Sequence, residues 1–267
     1  MDIRNRVFVV TGAGNGIGRE TTLRLLAGGA SVAGVDLSAD GLAETARLAD
    51  ADRRFSQHVV NITDRDAVAA LPAAVDAAHG AVDGIVNIAG VIQQFVKVVD
   101  LPFSDIDKVM SVNFGGVMNM CKAFLPTLLA RPEAAILNVA SMGSYAPVPG
   151  QAVYGASKAA VKLLTEALYA ELLDTKVQVS VVFPGAIGTD IAANSGVDLA
   201  GGTSAENTAY KTTSPVEAGR VIVAAIEKGR FRATIGSDAA AMDRLSRLNP
   251  KFATTLIAKQ MGELLEA

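Results

Sequence analysis

Arg6-Val-Phe-Val-Val-Thr-Gly-Ala-Gly-Asn-Gly-Ile-Gly18 is the stretch on which the fold turns. A β-branched run leads into a glycine-rich loop, and Arg19 to Ala27 then reads as a helix. Glycines allow a backbone to approach an anion closely, and the free N–H groups at a helix N-terminus favour negative charge. Strand, glycine loop and helix in that order predict a βα unit whose turn cradles a pyrophosphate.

The chain beyond it repeats the alternation. Further strands are expected at Ala30–Val35, Phe55–Val60, Val82–Val86, Ala135–Ala140, Val177–Phe183 and Phe231–Ile235. Helices are expected between them: from Ser38 to about Asp50, from a Thr63 cap to about His79, and from a Ser104/Asp107 capping box to about Ala130. Others should run from about Tyr154 to Leu173 and from the Ser214-Pro-Val-Glu217 cap to about Lys228. This order specifies one α/β domain over 1–267, a Rossmann fold with a doubly wound, seven-stranded parallel sheet and helices on both faces. Residues 188–213, rich in Gly, Ser, Thr, Asn and Ala, have the composition of a substrate lid. A helical tail split by Pro250 follows at about 237–267, and its place is left open.

The second strand ends at Asp36, eighteen residues past Gly18. An acidic side chain there accepts hydrogen bonds from the hydroxyls of an adenosine ribose and repels a 2′-phosphate. Neither Asn15 nor Leu37 brings an offsetting cation, so NAD is favoured over NADP. Tyr154 and Lys158, four apart, share one face of a helix. An ammonium beside a phenol favours phenolate and lowers a pKa of about 10. Such a tyrosine exchanges a proton with an alcohol or ketone near neutral pH. Ser141, thirteen residues earlier, closes a strand and completes the group.

Together these residues resemble the short-chain dehydrogenase/reductase family, in its branch of about 250 residues. Thr11-Gly12-x-x-x-Gly16-x-Gly18, Asn87-x-Ala89-Gly90, Asn113, Ser141, Tyr154-x-x-x-Lys158 and Pro184-Gly185 occur in the family's order. The resemblance implies that Gly12, Asn15, Gly16, Ile17 and Gly18 line the pyrophosphate, with Asp36 and Leu37 at the adenosine ribose and Asn61 and Ile62 at the adenine. Asn87, Ala89 and Gly90 would pass beneath the nicotinamide ribose; Ile88 stands where a second Asn is common. Tyr154 would be the acid/base, Lys158 would hold the nicotinamide ribose, Ser141 the reacting oxygen and Asn113 a water path for protons. Pro184, Gly185, Ile187 and Thr189 would embrace the carboxamide. The Tyr–Lys interval of four differs from the six typical of related enoyl reductases.

Composition narrows the rest. A net charge of −3 with no basic cluster argues against nucleic acid, and no apolar run reaches the 18 residues of a membrane span. The single cysteine, Cys121, suits a reducing compartment such as the cytoplasm and is expected as a buried hydrophobe. The N-terminal residues read as the approach to a buried strand rather than a signal peptide. No metal-ligand cluster is found, and His58 and His79 lie away from the motifs. Ile92, Gln93, Met142, Val148 and Gln151 are expected to face the substrate. None carries a formal charge, which points to a neutral, fairly apolar secondary alcohol or ketone.

The helices of Asn113 and Tyr154 look apolar on more than one face, with Gly115, Gly116, Ala159, Ala160, Ala167 and Ala170 permitting close approach. A homotetramer or homodimer is expected through them. Two rival readings stand beside the dehydrogenase. A 3-ketoacyl carrier-protein reductase using NADPH is opposed by Asp36, and a non-catalytic dinucleotide sensor by the joint presence of Ser141, Tyr154 and Lys158.

Overall fold

The structure, a computed structural model, describes residues 1–197 and 212–261. Its strands are β1 Val7–Thr11, β2 Ser31–Asp36, β3 Phe55–Val59, β4 Gly84–Asn87, β5 Ala134–Val139, β6 Val177–Pro184 and β7 Arg232–Ile235. They pair in parallel in the order β3-β2-β1-β4-β5-β6-β7. The direction of winding therefore reverses between β1 and β4, where open α/β sheets bind ligands.

The central strands are apolar throughout because both faces of the sheet are covered. Val7 and Val9 pack into one cluster with Val68 and Leu71 of helix α3 (Arg65–His79) and Phe124 of helix α5 (Val117–Leu129). Phe8 and Val10 face the opposite cluster, with Leu25 of α1 (Gly16–Ala27) and Leu42 of α2 (Ala39–Ala49). Each fully buried side chain of this size contributes roughly 1.5–3 kcal/mol. The Phe8 ring lies over Gly84, where a Cβ would come within 2.6 Å of it. Neither residue can be enlarged alone.

Four local details differ from the sequence expectation. Asp64, not Thr63, caps α3 by accepting the N–H groups of Asp66 and Ala67, while the Thr63 hydroxyl donates to Asn61. The Ser104/Asp107 box is not used: α4 (Phe103–Met110) begins after Pro102, whose carbonyl accepts from Asp105 and Ile106. The expected long helix is interrupted by a π turn at Ser111–Gly116 before α5. Within it Gly116 is buried, and a Cβ there would meet the Ile62 side chain at 2.4 Å. Gly116 thus lets the turn pack closely against Ile62.

Helix α6 (Ala152–Glu171) carries the Tyr154 motif. The expected lid holds a short helix, α7 (Ile191–Ser195); residues 198–211, with Lys211, lie outside the described residues. Ser214 caps α8 (Pro215–Glu227) as expected, by accepting the Glu217 N–H, although Glu217 turns to Arg220 and does not reach back. The tail forms α9 (Ser237–Leu248) and α10 (Pro250–Met261); 262–267 lie outside the described residues. Met242, Ala253 and Ile257 of the tail pack with Ala146, Met142 and Val148. The tail therefore covers the loop after β5. Among the described residues, no helix is long and apolar enough to cross a membrane.

Candidate active site

The residues singled out in the sequence gather along one edge of the sheet, at the C-terminal ends of β1, β2, β4, β5 and β6. At the first of these, Gly12 (φ +73°) and Gly16 (φ +50°) adopt left-handed backbone that other residues rarely tolerate. A Cβ on Gly18 would lie 1.9 Å from the Gly12 carbonyl oxygen, so only glycine fits. Asn15 is extended at the N-terminus of α1 and offers no side-chain cap. The first N–H groups of that helix are thereby left to an external acceptor. Thr189 arrives from the loop after β6, and its methyl would lie 3.4 Å from a Cβ on Gly16. The loop after β6 thus meets the glycine loop at Gly16, while Ile17 packs against the apolar cluster of α1 and α2.

Asp36 ends β2 and accepts from Gly14 N–H at 2.8 Å and Ser38 N–H at 3.0 Å. Its carboxylate is therefore fixed against the glycine loop. Leu37 is exposed beside it. Arg19, whose cation the sequence reading overlooked, lies close by, but its guanidinium donates to the Gly14 carbonyl and the Thr45 hydroxyl. Asn61 accepts from Thr63 through Oδ1 and is exposed, whereas the Ile62 side chain is buried. The Ile62 carbonyl accepts from Asn119 Nδ2 at 3.0 Å.

Thr11 Oγ1 accepts from Ile88 N–H at 3.0 Å and Ala89 N–H at 3.2 Å, which fixes the Asn87–Gly90 loop beside the glycine turn. Buried Asn87 donates to Asn138 at 2.8 Å, and Asn138 in turn donates to Thr165. Asn87 Oδ1 is a buried acceptor with no partner among the described residues. A Cβ on Gly90 would stand 3.1 Å from both Lys158 Nζ and Asn113 Oδ1. Glycine cradle, uncapped helix, fixed carboxylate and orphaned amide together fit a nicotinamide dinucleotide.

Asn113 sits on the π turn, fully buried. It accepts from Val91 N–H at 2.8 Å and donates to Val91 O and Ser157 Oγ. Its side chain is thus a brace between the loop after β4 and α6. π turns recur where a helix must aim such a residue.

Ser141 follows β5 and accepts from Gly143 N–H at 3.0 Å; its hydroxyl and the Tyr154 ring both lie within 3.6 Å of a Cβ placed on Gly143. Gly155 lets α6 lie against this turn, since a Cβ there would be 3.1 Å from the Gly143 carbonyl. Burial pushes the Tyr154 phenol above its ordinary pKa, and the Ser141 hydrogen bond opposes that rise. Lys158 is buried, donates to the Val139 carbonyl at 3.1 Å, and is pushed down by burial to about 8. The expected lowering of the phenol by the ammonium is therefore not what the folded chain displays. The lysine is drawn to a strand-end carbonyl, and desolvation acts against charge on both groups.

After β6, Gly185 N–H donates to Ile235 O, and Ile187 pairs with Thr213. Asp238, from the start of α9, accepts from Ala186 N–H at 2.8 Å. No sequence signal points to Asp238, because its partner lies 52 residues away. Of the expected substrate residues, Ile92, Met142 and Val148 remain partly exposed. Gln93 and Gln151 do not: both are buried and turn their amides to backbone. Cys121 is buried as expected, its thiol pushed up to about 12.

The sequence pattern of the family described as short chain dehydrogenase matches residues 6–199. "Putative oxidoreductase SadH" of Mycobacterium tuberculosis is 37% identical over 262 residues, covering 95% of this chain and 94% of that protein. A short chain dehydrogenase/reductase from Burkholderia phymatum, solved in complex with NAD, superimposes with TM-score 0.85 at 25% identity, covering 94% of this chain and 96% of that one. A short chain dehydrogenase from Burkholderia cenocepacia, solved with NADP, gives TM-score 0.81 at 26% identity, over 96% and 99%.

Proposed function

The chain belongs to the short chain dehydrogenase family of oxidoreductases, and from that premise we propose that it interconverts a neutral, fairly apolar secondary alcohol and its ketone with NAD(H). The observation that carries this reading is the grouping of three side chains: the Ser141 hydroxyl and the Tyr154 ring both lie within 3.6 Å of a Cβ placed on Gly143, and buried Lys158 stands 3.1 Å from one placed on Gly90.

When bound, the nicotinamide supplies or accepts the hydride. Tyr154 gives its phenolic proton to the carbonyl oxygen as the carbon is reduced, and takes it back when the alcohol is oxidised. One ketone, one NADH and one proton yield one alcohol and one NAD. Because burial raises its pKa, the phenol is protonated at neutral pH, the state needed for reduction. Ser141 orients the reacting oxygen against the same hydroxyl. Lys158 and Gly90 would hold the ribose, within 3.1 Å of one another as measured from a Cβ on Gly90. Preference for NAD follows from Asp36, whose carboxylate opposes a 2′-phosphate while Arg19 is committed to backbone and Thr45.

The apolar character of the substrate is supported by Met142 and Val148, which continue into the cluster under α9 and α10. A panel of uncharged ketones read by NADH absorbance tests the assignment. NADH should exceed NADPH as donor, and Tyr154→Phe should reduce turnover by about 10²- to 10⁴-fold with NAD binding retained. Equal turnover by the Phe variant would refute the acid/base role, and preference for NADPH would refute the role of Asp36.

A further inference from the structure

Gln93 has no catalytic atom to offer, yet every polar group it uses is aimed at the segment that carries Tyr154. It is 2% exposed and lies three residues past Gly90. Its Oε1 accepts from the backbone N–H of Val153 at 3.0 Å and of Tyr154 at 3.0 Å. Its Nε2 donates to the Gly150 carbonyl at 3.0 Å, and its own carbonyl accepts from Gln151 Nε2 at 2.7 Å. The first N–H groups of a helix lack partners within the helix and are ordinarily capped by a Ser, Thr, Asp or Asn directly before it. Gln151 occupies that position in α6 and makes no such bond. The cap comes instead from about sixty residues upstream.

We infer that Gln93 is a positioning residue for the reaction, the clamp that sets the Tyr154 phenol at a fixed height above the Asn87–Gly90 loop. The inference rests on the acid/base role proposed above. An amide suits the place chemically: one oxygen with two lone pairs meets two N–H donors, and one nitrogen meets a carbonyl. Methionine fills a similar volume with no acceptor and leaves both N–H groups unpaired. Glutamate keeps the acceptor, loses the donor to Gly150 and brings a negative charge beside the backbone of Tyr154. Reaction rates are sensitive to displacements of about 1 Å, worth on the order of 10²-fold. The dinucleotide, by contrast, is held by elements that Gln93 does not touch.

The test compares Gln93→Met, Gln93→Glu and wild type, using NADH and the uncharged ketone turned over fastest in the panel. Gln93→Met should lower kcat by about 10- to 100-fold, leave the NADH dissociation constant within about threefold, and speed amide hydrogen exchange in the peptide containing Val153 and Tyr154. Gln93→Glu should keep that peptide protected and move the pH profile of turnover to higher pH, since added negative charge raises the phenol pKa. A purely structural residue would instead lower kcat and NADH affinity together in the Met variant. Unchanged kcat in the Met variant, equal losses of kcat and NADH affinity, or an unmoved profile in the Glu variant would each overturn the inference. If wild type turns over no ketone with either nicotinamide, the functional reading fails, and hydrogen exchange alone decides whether the clamp exists.

Discussion

Tyr154 and Lys158 set the residue scale, since both are driven by burial toward their neutral forms. The Ser141 hydrogen bond is what resists the upward push on the phenol. Ser141→Ala should therefore lower turnover and shift the pH dependence of alcohol oxidation to higher pH; a profile that stays in place would contradict the hydrogen bond. Lys158 yields a stability prediction for the NAD-free protein. Its folded value of about 8 lies below the ordinary 10.5, so the cost of burying the charge stands in full below about pH 8, where both states are protonated. Between about 8 and 10.5 the folded protein sheds the proton first and the cost disappears. Lys158→Met should gain up to about 3 kcal/mol over wild type at pH 7, and the gain should shrink by pH 9.5 in urea unfolding. A gain independent of pH would show that the amine is not desolvated. The four-residue interval was legible in the sequence. The sign of the pKa effect was not, because it depends on burial and on the Val139 carbonyl, contributed by a strand nineteen residues away.

Elements were placed where hydrophobic period and glycine punctuation agree, and misjudged where a distant partner decides. The β-branched runs marked the central strands, since a sheet covered on both faces there needs largely apolar sequence, whereas the partly exposed edge strand β3 carries Ser56, Gln57 and His58. The caps of α3 and α4 were displaced because Thr63 is recruited by Asn61, and because Pro102 already supplies the helical entry. The π turn left no trace in the period, as it shifts the helix face only around Asn113. One hidden support joins three elements: Asp83, just before β4, is 2% exposed and accepts from Val7 N–H, Arg6 and Arg131. Asp83→Ala would leave two arginines facing one another without their shared anion. Because those arginines stay partly exposed, the cost should fall near the lower end of the range for broken buried pairs, about 3 kcal/mol. Urea unfolding reads it directly, and a loss below about 1 kcal/mol, the range of surface pairs, would show that the cluster behaves as solvated.

Taken as a whole, the molecule brings residues spread from Gly12 to Asp238 to one crevice at the strand ends, and the sheet order makes that crevice. The line-up was legible because each motif closes a strand. The tail's place was not, since its apolar residues suit a pocket cover and a subunit contact equally; Met242, Ala253 and Ile257 turn out to cover the loop after β5. Apolar surface still remains, with Leu163 of α6 67% exposed and Phe103 of α4 82% exposed. We propose that a second copy of the chain covers these helices. Sedimentation should then give a dimer or tetramer, and Leu163→Glu should shift it toward monomer; a monomeric wild type would contradict the proposal. The central claim is that Tyr154 moves the proton while the nicotinamide moves the hydride. Reduction of an uncharged ketone with NADH deuterated at the transferring carbon, followed by mass spectrometry of the alcohol, tests it most directly. The account predicts one deuterium on the carbinol carbon for each NADH consumed by wild type and labelled alcohol formed about 10²- to 10⁴-fold more slowly by Tyr154→Phe; alcohol without deuterium, or an equal rate from the variant, would contradict it.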